Sequence, residues 1–245
     1  MSNLLARIHA YGWLFLEGIQ TTLLLSFVGT LAGLFLGVFL AAFSAFTPSL
    51  GQPLAQRALG RAAKVIARAY VAFVRGTPMM VQAVFLYNLL YRSLHWQPFT
   101  AGLVIVSLNT SAYMAEILRS GIQSVSTGQR EAALCLGMSE GQVFRWVVLP
   151  QALRKSFPAL GNEWVINIKD TSVLNAIGVT ELFFQGMSVA GNTYRFTESM
   201  LLVSCIYFVL TFAVTQGLHV VEEKLKQPVY GPGRESVKEE WACIK

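Results

Sequence analysis

From residue 18 to residue 46 the chain carries no charged side chain, a run of 29 residues. As a helix rising ~1.5 Å per residue it would reach ~43 Å, more than the ~30 Å hydrocarbon core of a bilayer. The run therefore predicts a membrane span. A secretory signal is the other reading, because Ala41, Ala42, Ser44 and Ala45 are small. Its apolar region would be far too long and its basic start too weak, so the span is expected to be retained. Within it Gly29, Gly33 and Gly37 recur every fourth residue, and Ala41 and Ala45 continue the row. Such a row lets a second helix backbone come close, since packing drives association in lipid.

Composition agrees: 54% of residues are hydrophobic and 13% are charged, where soluble domains carry about 25% charged. The net charge of +6 does not argue for nucleic acid, because the cations sit in short loops between apolar runs and not along one basic face. Cys135, Cys205 and Cys243 are far apart, and no CxxC or HExxH spacing occurs. Neither a disulfide framework nor a metal site is predicted, and the thiols are expected to be buried or idle.

Hydropathy predicts an all-α, polytopic integral membrane protein with spans near 14–46, 69–91, 96–118, 156–183 and 199–221. The second contains Pro78, which should break or kink the preceding turn. The fourth carries Glu163, Lys169, Asp170 and Glu181, and charges within spans are costly unless they face protein or water. Residues 47–68, 124–150 and 184–198 read as loops, and 227–245 as a mobile, mixed-charge tail after a single domain, 1–226. With five spans, the first and third loops and the tail hold fourteen of the nineteen Lys and Arg residues. The positive-inside rule then puts the N-terminus outside and the C-terminus in the cytoplasm. Losing the fourth span would spoil that asymmetry, so it is kept.

The 124–150 loop has its own grammar. Ser126 with Gln129 fits a capping box, predicting a helix from Thr127. Gly137 suits a left-handed helix end. Ser139 with Gln142 fits a second box, opening a helix through Val143, Phe144, Trp146 and Val147 that should stop at Pro150. An apolar short helix outside the membrane either packs on its own chain or needs a groove in a partner.

Glu131-Ala132-Ala133, Gly137, then nine residues, Val147, Leu149 and Pro150 resemble the EAA loop of ATP-binding-cassette importer permeases. Val147 stands where that family usually has isoleucine. The likeness runs over roughly residues 12–226. Arg75-Gly76-Thr77-Pro78 with Val81-Gln82 resembles the RGTP signature of the polar amino-acid branch. The run from Ser111 to Glu116, with Arg119 and Gly121-Ile122, resembles its third span. Leu149-Pro150-Gln151-Ala152-Leu153-Arg154, Pro158 to Glu163 and Ile168 to Ser172 continue the likeness. The resemblance implies a type I importer permease fold of about five spans in a bacterial cytoplasmic (inner) membrane. It implies a pore made with a second copy or a homologous permease, two cytoplasmic ATPases, an extracytoplasmic solute-binding protein and a polar amino acid as cargo. The loop would dock into a cleft of the ATPase, with Glu131 as polar anchor, Gly137 as turn, and Val147 and Leu149 as apolar contact. No G-x-x-x-x-G-K-[ST] occurs, so ATP and magnesium are expected on the partner and no cofactor on this chain.

Asn109, Tyr113 and Glu116 are spaced i, i+4, i+7, and Glu163, Asn167 and Asp170 repeat that spacing. Each set lies on one helical face. Together with Gln82 they either line a water-filled path or tie helices together. Glu116, near the cytoplasmic end, suits a gate or interface. Lys169 and Asp170 could pair with these groups, and Asp170 could also cap a following helix segment. Acidic groups within spans favour a cationic amino acid.

Two other functions compete. Gly137-Met138-Ser139-Glu140-Gly141 fits a G-x-S-x-G nucleophile elbow, with Asp170 and His219 following in chain order. That would make a membrane serine hydrolase, but the flanks read helical on both sides. A membrane scaffold without transport would need no polar faces inside its spans.

Overall fold

The computed structural model describes residues 2–45 and 54–226, and among these there are helices and no strand. The elements are α1 (Ser2–Ala45), α2 (Leu54–Gly76), α3 (Met79–Leu94), α4 (Pro98–Gln123), α5 (Thr127–Cys135), α6 (Glu140–Val143), a π turn (Phe144–Val148), α7 (Leu149–Asp170), a 3-10 segment (Thr171–Ile177), α8 (Leu182–Thr193) and α9 (Phe196–Lys226). Three helical stretches, Ala10–Ala42, Pro98–Gln123 and Phe196–Leu225, are long and apolar enough to cross a bilayer, and counting each of two bent pairs as one span gives five.

The α1 and α4 helices form the spine. Gly29 lies against Val106, Gly33 against Thr110 and Gly37 against Met114. Both numbers rise together, so the two helices run parallel. A Cβ on Gly33 would meet Thr110 Cβ at 2.7 Å, and one on Gly37 would meet Met114 Cβ at 2.6 Å. Ala41, the next member of the row, is buried with Ala115 and Leu118. A second cluster joins Leu25 to Ala83, Ala101, Ile105, Leu174 and Val179. On the other flank Phe15 packs with Leu182, Val189 and Val203.

Several boundaries differ from those read in the sequence. The helix α2 starts at Leu54, well inside the predicted 47–68 loop. Its alanines are strong helix formers, and the cations every three or four residues lower its hydropathy without lowering its helicity. The predicted second span is not one rod. The chain turns by 112° between α2 and α3, at Thr77 and Pro78. Pro150 does not end a helix. It enters the first turn of α7 after the π turn, where the missing N–H and the ring are accommodated by the wider ladder. Most of the predicted 184–198 loop is α8, because the buried Glu181 carboxylate accepts the N–H groups of Phe183 (2.8 Å) and Phe184 (2.7 Å) and caps the helix. Gly178, at φ +82°, ends the 3-10 segment before that cap. The tail 227–245, with Cys243, lies outside the described residues. Cys135 and Cys205 are exposed rather than buried.

Candidate functional site: the 124–150 loop and the polar face behind it

The loop folds as two short arms about a glycine. Met138 N–H reaches Ala133 O (3.2 Å) and Gly137 N–H reaches Leu134 O (2.9 Å). This is a Schellman closure, and Gly137 takes the left-handed position at φ +81°. Ser126 precedes α5 but makes no side-chain cap, so the first predicted capping box does not form. The second does: Gln142 Oε1 accepts the Ser139 N–H at 2.8 Å. Arg130 then clasps Glu140 across the arms, Nη2 to Oε1 at 2.6 Å and Nε to Oε2 at 3.2 Å.

A small core holds the arms. Ala133, Val143 and Val148 are buried, and Ile122, Val125, Leu134, Met138 and Val147 pack against them. The family-like residues therefore divide. Glu131 and Ala132 are exposed, while Ala133 is buried; Val147 and Leu149 are half-buried, and Pro150 is exposed. Val147 supports the loop from within. The apolar groups offered outward are Leu136 (85% exposed), Trp146 (65%) and Phe144 (45%). Leu136 belongs to none of the motifs in the sequence. Its position beside the Schellman glycine is what turns it out. Lys155 Nζ, on α7, donates to Ser124 O at 2.7 Å and ties α7 to the C-cap of α4, where the loop begins.

Behind the loop, the α4 face predicted from spacing does look one way, toward the α2–α3 junction. Asn109 Nδ2 donates to Gln82 Oε1 (3.0 Å). Gln82 Nε2 in turn donates to Val74 O (2.9 Å) and Thr77 Oγ1 (2.7 Å), closing the break before α3. The Arg75 guanidinium lies 5.6 Å from the centre of the Tyr113 ring and 3.8 Å from Glu116 Oε1. Glu116 is also bidentate to Arg119. Arg75 and Glu116 share the walls of two cavities of about 360 and 440 Å³. Arg75 and Arg119 were part of recognised motifs but were not expected at this face.

Within the α7 set, Asn167 has partners of its own on two other helices. Asn167 Nδ2 donates to Thr30 Oγ1 (2.7 Å) and Thr110 Oγ1 (2.9 Å), so it ties α1, α4 and α7. Glu163 is buried and Asp170 half-buried. A further node escaped the sequence. Glu181, fully buried, accepts from Tyr207 Oη at 2.8 Å, and Thr22 Oγ1 accepts the Leu182 N–H at 3.2 Å. Only an acidic residue in an apolar run hinted at it. The elbow-like Ser139 is a helix N-cap with no strand before it, and His219 faces Glu222 at 3.6 Å.

A family model described as the binding-protein-dependent transport system inner membrane component matches residues 33–227. The glutamine transport system permease protein GlnP of Escherichia coli is 37% identical over 216 residues, 87% of this chain and 93% of its own length. The arginine transport system permease protein ArtQ of Bacillus subtilis is 33% identical over 215 residues, 86% of this chain and 92% of its own. A crystal structure of an amino acid ABC transporter with histidines superposes with a TM-score of 0.80 at 34% identity, covering 89% of this chain and 97% of that one. An inward-facing structure of the MetNI methionine ABC transporter, at 20% identity and a TM-score of 0.70, shares the fold.

Proposed function

The chain belongs to the family of binding-protein-dependent transport system inner membrane components, and from that premise we propose how it works and with what. It is the membrane-spanning permease subunit of an amino-acid ABC importer, a protein of the bacterial inner membrane that works with ATPase and binding-protein partners. In our reading two cytoplasmic ATPase subunits bind the ATP and magnesium, so this chain needs no cofactor and performs no catalysis. Two permeases, either two copies or a homologous pair, enclose the path. The N-terminus lies outside and the C-terminus in the cytoplasm.

The observation that carries the coupling role is the loop's outward face. Leu136, Phe144 and Trp146 stand exposed on a hairpin braced by its own core and by the Arg130–Glu140 clasp. A braced apolar projection in water gains by entering a groove of a partner. Glu131, exposed beside it, supplies a polar anchor. Closure of the ATPases on nucleotide would push this projection. The push would pass through α6 and the π turn directly into α7, which carries Glu163 and Asp170, and the spans would alternate between inward and outward access.

The cargo is a polar amino acid, and Gln82, Asn109, Tyr113, Glu116, Glu163 and Asp170 are the groups nearest a path. Buried Glu163 favours a ligand with a cationic group. Uptake competition with arginine, glutamine and glutamate tests this, and preferential block by glutamate would overturn it. The coupling role is tested by purifying the tagged chain from its host in mild detergent. Retention of a nucleotide-binding subunit by wild type, and its loss in Glu131→Arg, is expected. A folded chain that brings no ATPase would overturn the docking assignment.

A further inference from the structure

We propose that α2 is an in-plane interfacial helix, not the first half of a membrane span, and that its cationic face takes the headgroups of anionic phospholipid. The inference rests on the chain being a membrane permease, but not on its cargo or on how the 124–150 loop docks.

Three observations carry it. Arg57, Arg61, Lys64 and Arg68 are spaced i, i+4, i+7, i+11, and Arg75 continues the row seven residues on, so all five lie on one stripe of the helix. Leu59, Ile66 and Phe73, also seven apart, form a stripe on the far side, and they are 72%, 68% and 66% exposed. A strongly amphipathic helix with cations on one face and large apolar groups on the other is the pattern of a helix lying along a membrane surface.

The second observation is direction. The chain turns by 112° between α2 and α3, so α2 leaves the axis of α3. The third is which way its faces point along α4. On the apolar side, Ala63, Ile66 and Tyr70 border a groove of about 510 Å³ with Leu36 and Phe39 of α1 and Leu108 of α4. On the cationic side, Arg68 and Arg75 border a cavity with Ala115, Glu116 and Arg119 of α4. The cationic side therefore sits about two turns nearer the C-terminal end of α4, the end that leads into the 124–150 loop. The apolar side sits toward the middle of the span. An interfacial helix needs this arrangement, with apolar groups turned to the hydrocarbon and cations turned to the phosphates. The open groove, almost wholly apolar, is then a seat for acyl chain, and the cations on the opposite face meet the negative surface of the leaflet.

Labelling Leu59→Cys, Ile66→Cys and Phe73→Cys one at a time with a nitroxide tests the orientation. The background is a chain lacking its native cysteines, assembled with its ATPase in phosphatidylethanolamine–phosphatidylglycerol vesicles. The three labels should be oxygen-accessible and should lie at one depth, within about 10 Å of the phosphates. A transmembrane course would separate the Leu59 and Phe73 labels by ~21 Å in depth, at ~1.5 Å per residue, and would overturn the proposal. Loss of oxygen access with short dipolar distances between labels would mean that a second permease copy covers the face, and would also overturn it. For the headgroups, native mass spectrometry of wild type in mixed phosphatidylglycerol–phosphatidylcholine should show several-fold enrichment of the anionic lipid. Arg57→Gln/Arg61→Gln/Arg68→Gln should abolish that enrichment, and an unchanged lipid ratio would refute the headgroup assignment. Neither readout reports on the contacts of the 124–150 loop, so failure here leaves the coupling role standing.

Discussion

Arg130 and Glu140 join the two arms of the 124–150 hairpin through a bidentate pair, with Nη2 2.6 Å from Oε1. Both side chains are more than half exposed. Exposed pairs contribute only ~0.2–1 kcal/mol, so the clasp sets the angle between the arms more than it stabilises the fold. Arg130→Glu should leave the melting temperature almost unchanged but lower binding-protein-stimulated ATPase activity in the reconstituted transporter. The swap Arg130→Glu/Glu140→Arg should restore much of it. Equal activity in all three proteins would remove the clasp from the coupling mechanism.

Gly137 tests the turn without touching packing. A Cβ there would meet nothing within 4 Å, yet φ is +81°. Only backbone strain opposes a side chain, at ~1–2 kcal/mol for an ordinary residue and less for asparagine. Gly137→Val should uncouple uptake from ATP hydrolysis, while Gly137→Asn should retain more uptake. Near-normal transport by a stably expressed valine variant would contradict this.

The parallel contact of α1 with α4 should be the least tolerant part of the chain. A Cβ on Gly33 would stand 2.8 Å from Thr110 Cγ2 and 3.1 Å from the Ser107 carbonyl. Gly33→Val has no room to relax, because the obstruction includes backbone. It should lose monodisperse protein in size-exclusion chromatography after mild heating. Gly12→Ala, whose Cβ meets nothing within 4 Å, should behave as wild type.

Asn167 separates a tie from a ligand. Its amide is spent on Thr30 and Thr110, and hydrogen bonds between membrane helices average ~0.6 kcal/mol with a maximum near ~1.7. Asn167→Ala should lower thermal stability by about that amount and leave the order of competing amino acids unchanged. A changed order of inhibition by arginine and glutamine would return Asn167 to the path.

The membrane character of the chain, the glycine row and the loop grammar are all legible in the sequence, because each is local. A charge-free run needs the bilayer whatever it packs against. A row of small residues every fourth position is a close-packing face before its partner is known. A left-handed helix end selects glycine from within a single turn. The spacing that put Asn109, Tyr113 and Glu116 on one side of α4 is of the same kind, and that side does face Gln82 and Arg75.

What only the tertiary structure decided is which surface meets which. The same i, i+4 logic that grouped Asn167 with Glu163 and Asp170 could not say that two threonines from other helices would claim its amide. Val147 turned inward and Leu136 outward because the two arms close on a shared core, and that closure depends on their relative rotation about Gly137. The course of α2 was hidden for a similar reason. Pro78 marks a break in the sequence, but the turn is held by contacts with Tyr113, Asn109 and Glu116, more than thirty residues downstream.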